Sequence, residues 1–240
     1  MIEADAIGPI ADRLRAVQLE VAAACARAHR APTSVTLIAV SKGHGPDAIR
    51  AAYAAGQRHF GENYAAEFAG KLAALNDLDI TWHFIGRVQR GNVKIIAQAR
   101  LVHGVGSTSQ AEALHKEALK RDLPLPVLLQ VNLTGEDTKN GFTGGSSSSS
   151  LSAALPSLRA LPGLALRGLM AMPNVDDVRA AFAAVRDLRD AVCPELRELS
   201  MGMSGDFGVA VEEGATLVRV GTAIFGARPP LPPSNQRDKG

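Results

Sequence analysis

A few chemically distinctive residues stand at the ends of short apolar runs. Lys42 closes Ala39-Val40-Ser41-Lys42, Asn63 lies in Gly61-Glu62-Asn63-Tyr64, and His83 lies in Trp82-His83-Phe84-Ile85-Gly86. Further on, Asn132 ends an apolar run, Ser204-Gly205 and Gly221-Thr222 follow two more, and Arg219 stands just before the last pair. A lysine at the end of a buried run loses hydration, which lowers its pKa toward that of a nucleophilic amine able to form a Schiff base. The other reading, a lysine snorkelling from the rim to water, stands equally for Lys42 taken alone. The Gly-Ser and Gly-Thr pairs let backbone N–H groups approach an anion, although each by itself is ordinary turn chemistry. Arg219 lies between Val218 and Val220, so strand alternation turns it to the opposite face, shared with Leu217. There it meets either a carboxylate or a ring nitrogen or phosphate of a ligand. His83 is either a satisfied core histidine or a residue facing that ligand.

The elements that must carry these residues follow a regular rhythm. Apolar positions spaced by three and four predict an amphipathic helix over 4–29. Eight strand candidates follow: Val35–Val40, Arg58–Gly61, Ile80–Ile85, Leu101–Val105, Pro126–Leu133, Leu164–Met170, Glu198–Met201 and Leu217–Val220. Helical patterns separate them near Pro46–Ala55, Ala65–Leu75, Asn92–Ala99, Ser109–Lys120, Leu151–Leu161, Val175–Ala191 and Gly205–Gly214. Continuously apolar strands alternating with helices indicate parallel strands buried on both faces. Eight such units predict an α/β fold, a single (β/α)8 TIM-type barrel with an extra N-terminal helix, spanning residues 1–228. A doubly wound sheet is disfavoured, because the turn after the first run, Ser41-Lys42-Gly43-His44-Gly45-Pro46, lacks the G-x-G-x-x-G spacing. Gly144-Gly145 with Ser146–Ser150 reads as a solvated loop, and the proline-rich stretch 229–240 as a disordered tail. In a barrel the loops after the strands converge on one face, so the distinctive residues share a mouth. Ser204 and Gly221-Thr222 follow strands seven and eight, where barrels commonly bind phosphate.

With 26 Lys and Arg against 24 Asp and Glu, the formal charge is +2, which argues against nucleic acid or an anionic bilayer as a partner. A composition of 46% hydrophobic and 21% charged residues matches a globular chain rather than a disordered one. Cys25 and Cys193 form no C-x-x-C pair, so no metal site is expected. No apolar stretch reads as a signal peptide or a membrane span, so a cytoplasmic, monomeric protein acting on small molecules is expected.

Seven ordered segments carry a family resemblance. They are Leu37–Lys42, Gly56–Tyr64, Trp82–Gly86, Gln130–Asn132, Gly168–Pro173, Leu199–Ser204 and Val218–Gly226. Together they resemble the pyridoxal 5′-phosphate homeostasis proteins, a small family related to the N-terminal domain of bacterial alanine racemase. The resemblance implies that pyridoxal 5′-phosphate (PLP) is bound through a Schiff base on Lys42, with Arg219 at the pyridine nitrogen. It further implies that Ser204, Gly221 and Thr222 hold the phosphate and that Asn63 and His83 flank the ring. Lys139 matches a lysine that the family usually carries in its loop, although a solvent-facing lysine is an equal reading. Where the family commonly shows Leu-Gln-Ser-Asn-Lys, this chain has Val88-Gln89-Arg90-Gly91-Asn92.

The function expected from the resemblance is cofactor storage and delivery in vitamin B6 homeostasis, without strong catalytic turnover. PLP-dependent apoenzymes are the expected recipients and amino acids possible ligands. An arginine at the ring nitrogen keeps that nitrogen unprotonated and weakens the cofactor as an electron sink. Racemization also needs a second base, and of the two tyrosines only Tyr64, not Tyr53, falls near the mouth. The alternative is a low-activity amino-acid racemase or another PLP-dependent enzyme. A cofactor-free Schiff-base aldolase would account for Lys42 but not for Arg219.

Overall fold

Each apolar run forms a strand, and the helix after it returns the chain to the same end of the sheet, so successive strands pair in parallel. The computed structural model describes residues 4–132, 140–144, 150–173 and 175–228. The strands are β1 Thr36–Val40, β2 His59–Glu62, β3 Thr81–Phe84, β4 Leu101–Val105, β5 Leu125–Gln130, β6 Leu164–Met170, β7 Glu198–Ser200 and β8 Leu217–Val220. They close into a barrel in sequence order, with β8 pairing back onto β1 through Ile38 and Arg219. Helix α1 is Ala4–Arg27, and α2 to α5 are Pro46–Ala54, Ala65–Ala74, Val93–Ile96 and Thr108–Ala118. Helices α6 to α9 are Leu151–Arg159, Val178–Val192, Phe207–Glu212 and the single turn Thr222–Phe225. The expected (β/α)8 barrel with an additional N-terminal helix is therefore the observed architecture.

Strand alternation sorts side chains into two cores. In β3, Trp82 and Phe84 face outward, where they meet Phe68 of α3 with ring centroids 5.7 and 6.1 Å away, and Phe60 of β2 packs 6.0 Å from Trp82. Burying each such ring contributes about 1.5–3 kcal/mol. The inward residues Ile38, Leu128, Met170 and Leu217, with Leu101, form a separate apolar cluster. His83 lies between the two outward aromatics, so it must face into the barrel.

Helix α1 buries Ile10, Leu14, Val17, Val21 and Ala24 and packs against α2, α8 and α9. Its Arg13 Nε donates to the Ile224 carbonyl at 2.7 Å, tying α1 to the turn after β8. Cys25 and Cys193 are buried and unpaired. Among the described residues no helix is long and apolar enough to cross a membrane.

Several boundaries differ from the sequence reading, for local reasons. The stretch expected as a helix over Asn92–Ala99 is a 3-10 turn at Arg90–Asn92 followed by the short α4. Helix α7 begins at Val178 rather than Val175, because Asp177 caps it by accepting from the Ala180 N–H at 3.0 Å. Strand β5 starts at Leu125 and stops at Gln130; Val131 still donates to the Met170 carbonyl of β6 at 2.9 Å but also forms an isolated bridge to Phe142. The segments 145–149 and 229–240, read from sequence as a loop and a tail, lie outside the described residues, as do Leu133 and Lys139.

Candidate functional site

The turn after β1 presents Lys42, and buried charges hold that turn in place. Ser41 Oγ donates to Glu62 Oε1 at 2.5 Å, and Lys71 Nζ of α3 donates to Glu62 Oε1 at 2.6 Å and to the Ser41 carbonyl at 2.7 Å. Glu67 Oε1 accepts from Lys71 Nζ at 2.7 Å and from the Gly43 N–H at 2.6 Å. The residues on both sides of Lys42 are thus fixed while its own amine is left to the cavity. Burial raises the Glu62 carboxyl above its ordinary pKa, against the pull of Lys71 and Ser41. Glu62 Oε2 is the one buried side-chain polar atom without a partner among the described residues.

Lys42, Asn63, Ser204, Arg219, Gly221 and Thr222 line one cavity of about 300 Å³ at the C-terminal ends of the strands. That volume is at the lower end of ordinary small-ligand pockets. Desolvation, then Arg228, then Arg219 lower the Lys42 pKa, which raises the fraction of neutral amine. Asn63 reaches the cavity because Gly86 follows β3: a Cβ there would stand 2.0 Å from the Asn63 carbonyl oxygen. Gly202, with φ of +92°, bends the chain from β7 toward Ser204. Ser204 Oγ accepts from the Gly221 N–H at 3.3 Å and the Ala223 N–H at 3.4 Å, leaving its hydroxyl hydrogen free to donate into the cavity.

Arg219 is 3% exposed and has no carboxylate hydrogen-bonded to it among the described residues. Its Nη1 donates to Ser200 Oγ at 2.5 Å and its Nη2 to the Ala171 carbonyl at 2.9 Å. Burial lowers its pKa to about 10, with Asp206 acting weakly the other way, so the guanidinium remains charged at neutral pH. A buried cation held only by neutral groups is an open demand for an acceptor. Arg228 adds a second cation at the rim, and exposed Met172 and Met203 supply apolar walls.

The donor set fits PLP part by part. An amine of lowered pKa suits the aldehyde, the Ser204 hydroxyl and backbone N–H groups with Arg228 at the rim suit the phosphate, and the buried Arg219, with no carboxylate hydrogen-bonded to it among the described residues, suits the ring nitrogen.

His83 is placed elsewhere. It sits one inward position below Ile85, and its ring edge lines a different cavity, at the N-terminal ends of the strands. Its Nε2 is 3.0 Å from His59 Nδ1 and its Nδ1 3.0 Å from His103 Nε2. Burial, with smaller effects of His59 and Arg100, drives its pKa down to about 3. Asn132 is buried beside Phe142 and does not line the Lys42 cavity. Tyr64 is 54% exposed and also lies outside that lining, while Tyr53 stacks on Arg58. The Arg90-Gly91-Asn92 turn borders a separate open groove with Ser107 and Asn140.

Sequence reasoning missed Arg228, Glu62 and Lys71. Arg228 stands two residues beyond the last matching segment, and the Glu67–Lys71 spacing of four residues looks like a solvated helix-surface pair. Burial, which only the fold reveals, makes that pair structural.

Fold and site together define a (β/α)8 barrel whose mouth brings a lysine of lowered pKa, the Ser204 and Gly221-Thr222 loops and a buried arginine into one cavity. The model of the alanine racemase N-terminal domain matches residues 14–229, and the chain belongs to that family. Similar proteins include the pyridoxal phosphate homeostasis protein of Aquifex aeolicus, 41% identical over 226 residues that cover 90% of this chain and 97% of the relative. That of Pseudomonas aeruginosa is 43% identical over 224 residues, covering 91% and 96%. Among solved structures, PipY of Synechococcus elongatus with PLP bound aligns at a TM-score of 0.76 with 39% identity, covering 90% of this chain and all of that one. The alanine racemase of Streptomyces coelicolor, at a TM-score of 0.63 and 23% identity, shares the fold over 90% of this chain and 59% of its own.

Proposed function

We propose that this chain binds PLP through a Schiff base on Lys42 and stores and delivers it, serving vitamin B6 homeostasis without strong turnover. The observation that carries the reading is the buried Arg219 guanidinium, without a carboxylate partner, lining the same cavity as the desolvated Lys42 amine. When bound, PLP would supply an aldehyde to which the Lys42 amine would attach with loss of water. Ser204, Gly221 and Thr222 would hold the phosphate, Asn63 would border the ring, and Arg219 would donate to the ring nitrogen and keep a proton off it. The names of the relatives and the PLP-bound PipY support the same ligand.

Storage is favoured over catalysis by what the cavity lacks. Among the described residues, no histidine, carboxylate, tyrosine or cysteine lines the cavity beside Lys42, so no second acid–base group is present there to favour catalysis. The recipients are PLP-dependent apoenzymes, and the chain acts in the cytoplasm as a monomer.

Reduction of the PLP-loaded protein with borohydride, then proteolysis and mass spectrometry, tests the attachment. The pyridoxyl mass is expected on the peptide containing Lys42, and Lys42→Ala should remove it while the far-UV circular dichroism is unchanged. A label mainly on Lys139 or Lys94 would contradict the assignment.

A further inference from the structure

Arg219 is one end of a hydrogen-bonded chain that runs through the barrel. From Arg219 Nη1 it passes to Ser200 Oγ at 2.5 Å and on to His103 Nδ1 at 2.8 Å. It continues from His103 Nε2 to His83 Nδ1 and from His83 Nε2 to His59 Nδ1, both at 3.0 Å. His103 and Ser200 are fully buried, and His83 and Arg219 are each 3% exposed, so water does not interrupt these links. His59 is half-buried and borders a cavity of about 400 Å³ at the N-terminal ends of the strands.

The donor inventory gives this chain a direction. A guanidinium only donates, so Ser200 Oγ accepts from Arg219. The Ser200 hydroxyl hydrogen then has one acceptor along the chain, His103 Nδ1, which makes His103 the Nε2–H tautomer. His103 donates to His83 Nδ1 and His83 to His59 Nδ1, so His59 presents its remaining Nε2–H toward the lower cavity. The opposite polarity would leave the buried Ser200 hydroxyl hydrogen without an acceptor among these partners, a costly arrangement. All three imidazoles are thus neutral, in line with the lowered pKa of each.

The lower cavity has the chemistry to act on that end. Arg100 and Arg167 line it, both exposed and neither in an ion pair among the described residues. Glu198 is the opposing charge, and it accepts from Thr216 Oγ1 at 2.7 Å. His59 is therefore faced by His83 of β3, Arg100 before β4, Arg167 of β6 and Glu198 of β7.

We propose that this lower cavity is a second ligand site, for a small anion of the phosphate or carboxylate class, and that the chain from His59 to Arg219 couples its occupancy to the ring end of the Lys42 cavity. The coupling rests on the PLP reading; the anion site does not. Burial alone disfavours a charged His59, and an anion held by Arg100 and Arg167 in the same cavity places a negative charge beside it that favours the protonated form. One proton taken up there makes His59 a donor at Nδ1. His83 and His103 must then accept at Nε2, each shifting its single ring proton to Nδ1. Ser200 Oγ now accepts from both His103 and Arg219, and its hydroxyl hydrogen turns out of the chain. The net change is one proton gained, at His59, and a weaker hold of Ser200 on Arg219. By linkage, a ligand at Arg219 alters anion affinity by the same factor.

The test titrates inorganic phosphate into borohydride-reduced, PLP-loaded protein, in which the upper phosphate loops stay occupied. Imidazole nitrogen resonances report His59, and pyridoxyl fluorescence reports the ring end. Both are expected to move with one midpoint, with the His59 pKa rising. Arg100→Ala combined with Arg167→Ala should weaken that midpoint roughly tenfold or more. His59→Gln should still bind phosphate but show no fluorescence change. An unmoved His59 signal through the millimolar range, binding without fluorescence change in the unaltered protein, or an equal response in either variant would overturn the proposal. A protein that takes no pyridoxyl label at all overturns the PLP reading instead, and the nitrogen titration then tests the anion site by itself.

Discussion

On the proposed reading Lys42 needs its free base to be accessible at neutral pH, and burial, then Arg228 and Arg219, lower its pKa in that direction. On the same reading Arg228, at the rim of the cavity, would serve as a positive charge for an anionic ligand. At Ser204, two backbone N–H groups hold the oxygen and orient the hydroxyl. Removing one hydrogen bond to a charged group costs about 1.5–3 kcal/mol. Ser204→Ala is therefore expected to weaken PLP retention roughly 10- to 100-fold, measured by equilibrium dialysis, whereas pyridoxal without phosphate should bind the two proteins alike. Equal loss of both vitamers would show that this loop does not read phosphate.

Elements position these residues through close approaches and buried networks, and each is open to a stability measurement. Gly86 allows the chain after β3 to pass the Asn63 carbonyl, and an added Cβ would stand 2.0 Å from that oxygen. Gly86→Ala should thus lower the melting temperature and PLP affinity together, since relief of the clash must displace Asn63. In α1, Leu14 is 1% exposed, and Leu14→Ala is expected to cost about 2–5 kcal/mol in chemical denaturation. The imidazoles of β3 and β4 set the acid limit. His83 falls from 6.5 to about 3 in the folded chain and His103 lies well below 6.5, so both stay neutral while the unfolded chain takes up protons. Their contribution is complete above pH 6.5 and is lost as pH falls toward 3, at up to about 1.4 kcal/mol per pH unit for each. His83→Gln should flatten that slope in urea melts between these limits.

The same elements show what was legible in the sequence. Strands β4, β6 and β8 occupy the residues that apolar runs and alternation indicate, and the face of Arg219 follows from its valine neighbours. Alternation tells inside from outside but not depth along the barrel axis. His83 therefore reads as a mouth residue although Ile85, two residues on, occupies that level. The Glu62–Lys71 pair and Arg228 depend on contacts between segments, which no local pattern records.

At the scale of the whole molecule, the barrel separates two open ends. The upper end gathers Lys42, Arg219, Ser204 and Gly221-Thr222, and the lower end opens onto His59, Arg100 and Arg167. A carrier on this scaffold needs only one of the two faces of a bound ring to be equipped, and it is that lesser requirement which the proposed reading asks of the upper cavity. If Arg219 keeps the ring nitrogen unprotonated, as proposed, charge at an amino-acid α-carbon would be poorly stabilised, and among the described residues no second acid–base side chain lines the cavity to serve inversion. The most direct measurement incubates the PLP-loaded protein with a panel of L-amino acids in deuterated water, with an added apoenzyme in parallel. Transfer of PLP to the apoenzyme is expected, with little deuterium at the α-carbon and essentially no D-enantiomer. Repeated turnovers to the D-amino acid, abolished by Tyr64→Phe with PLP still bound, would contradict the storage account.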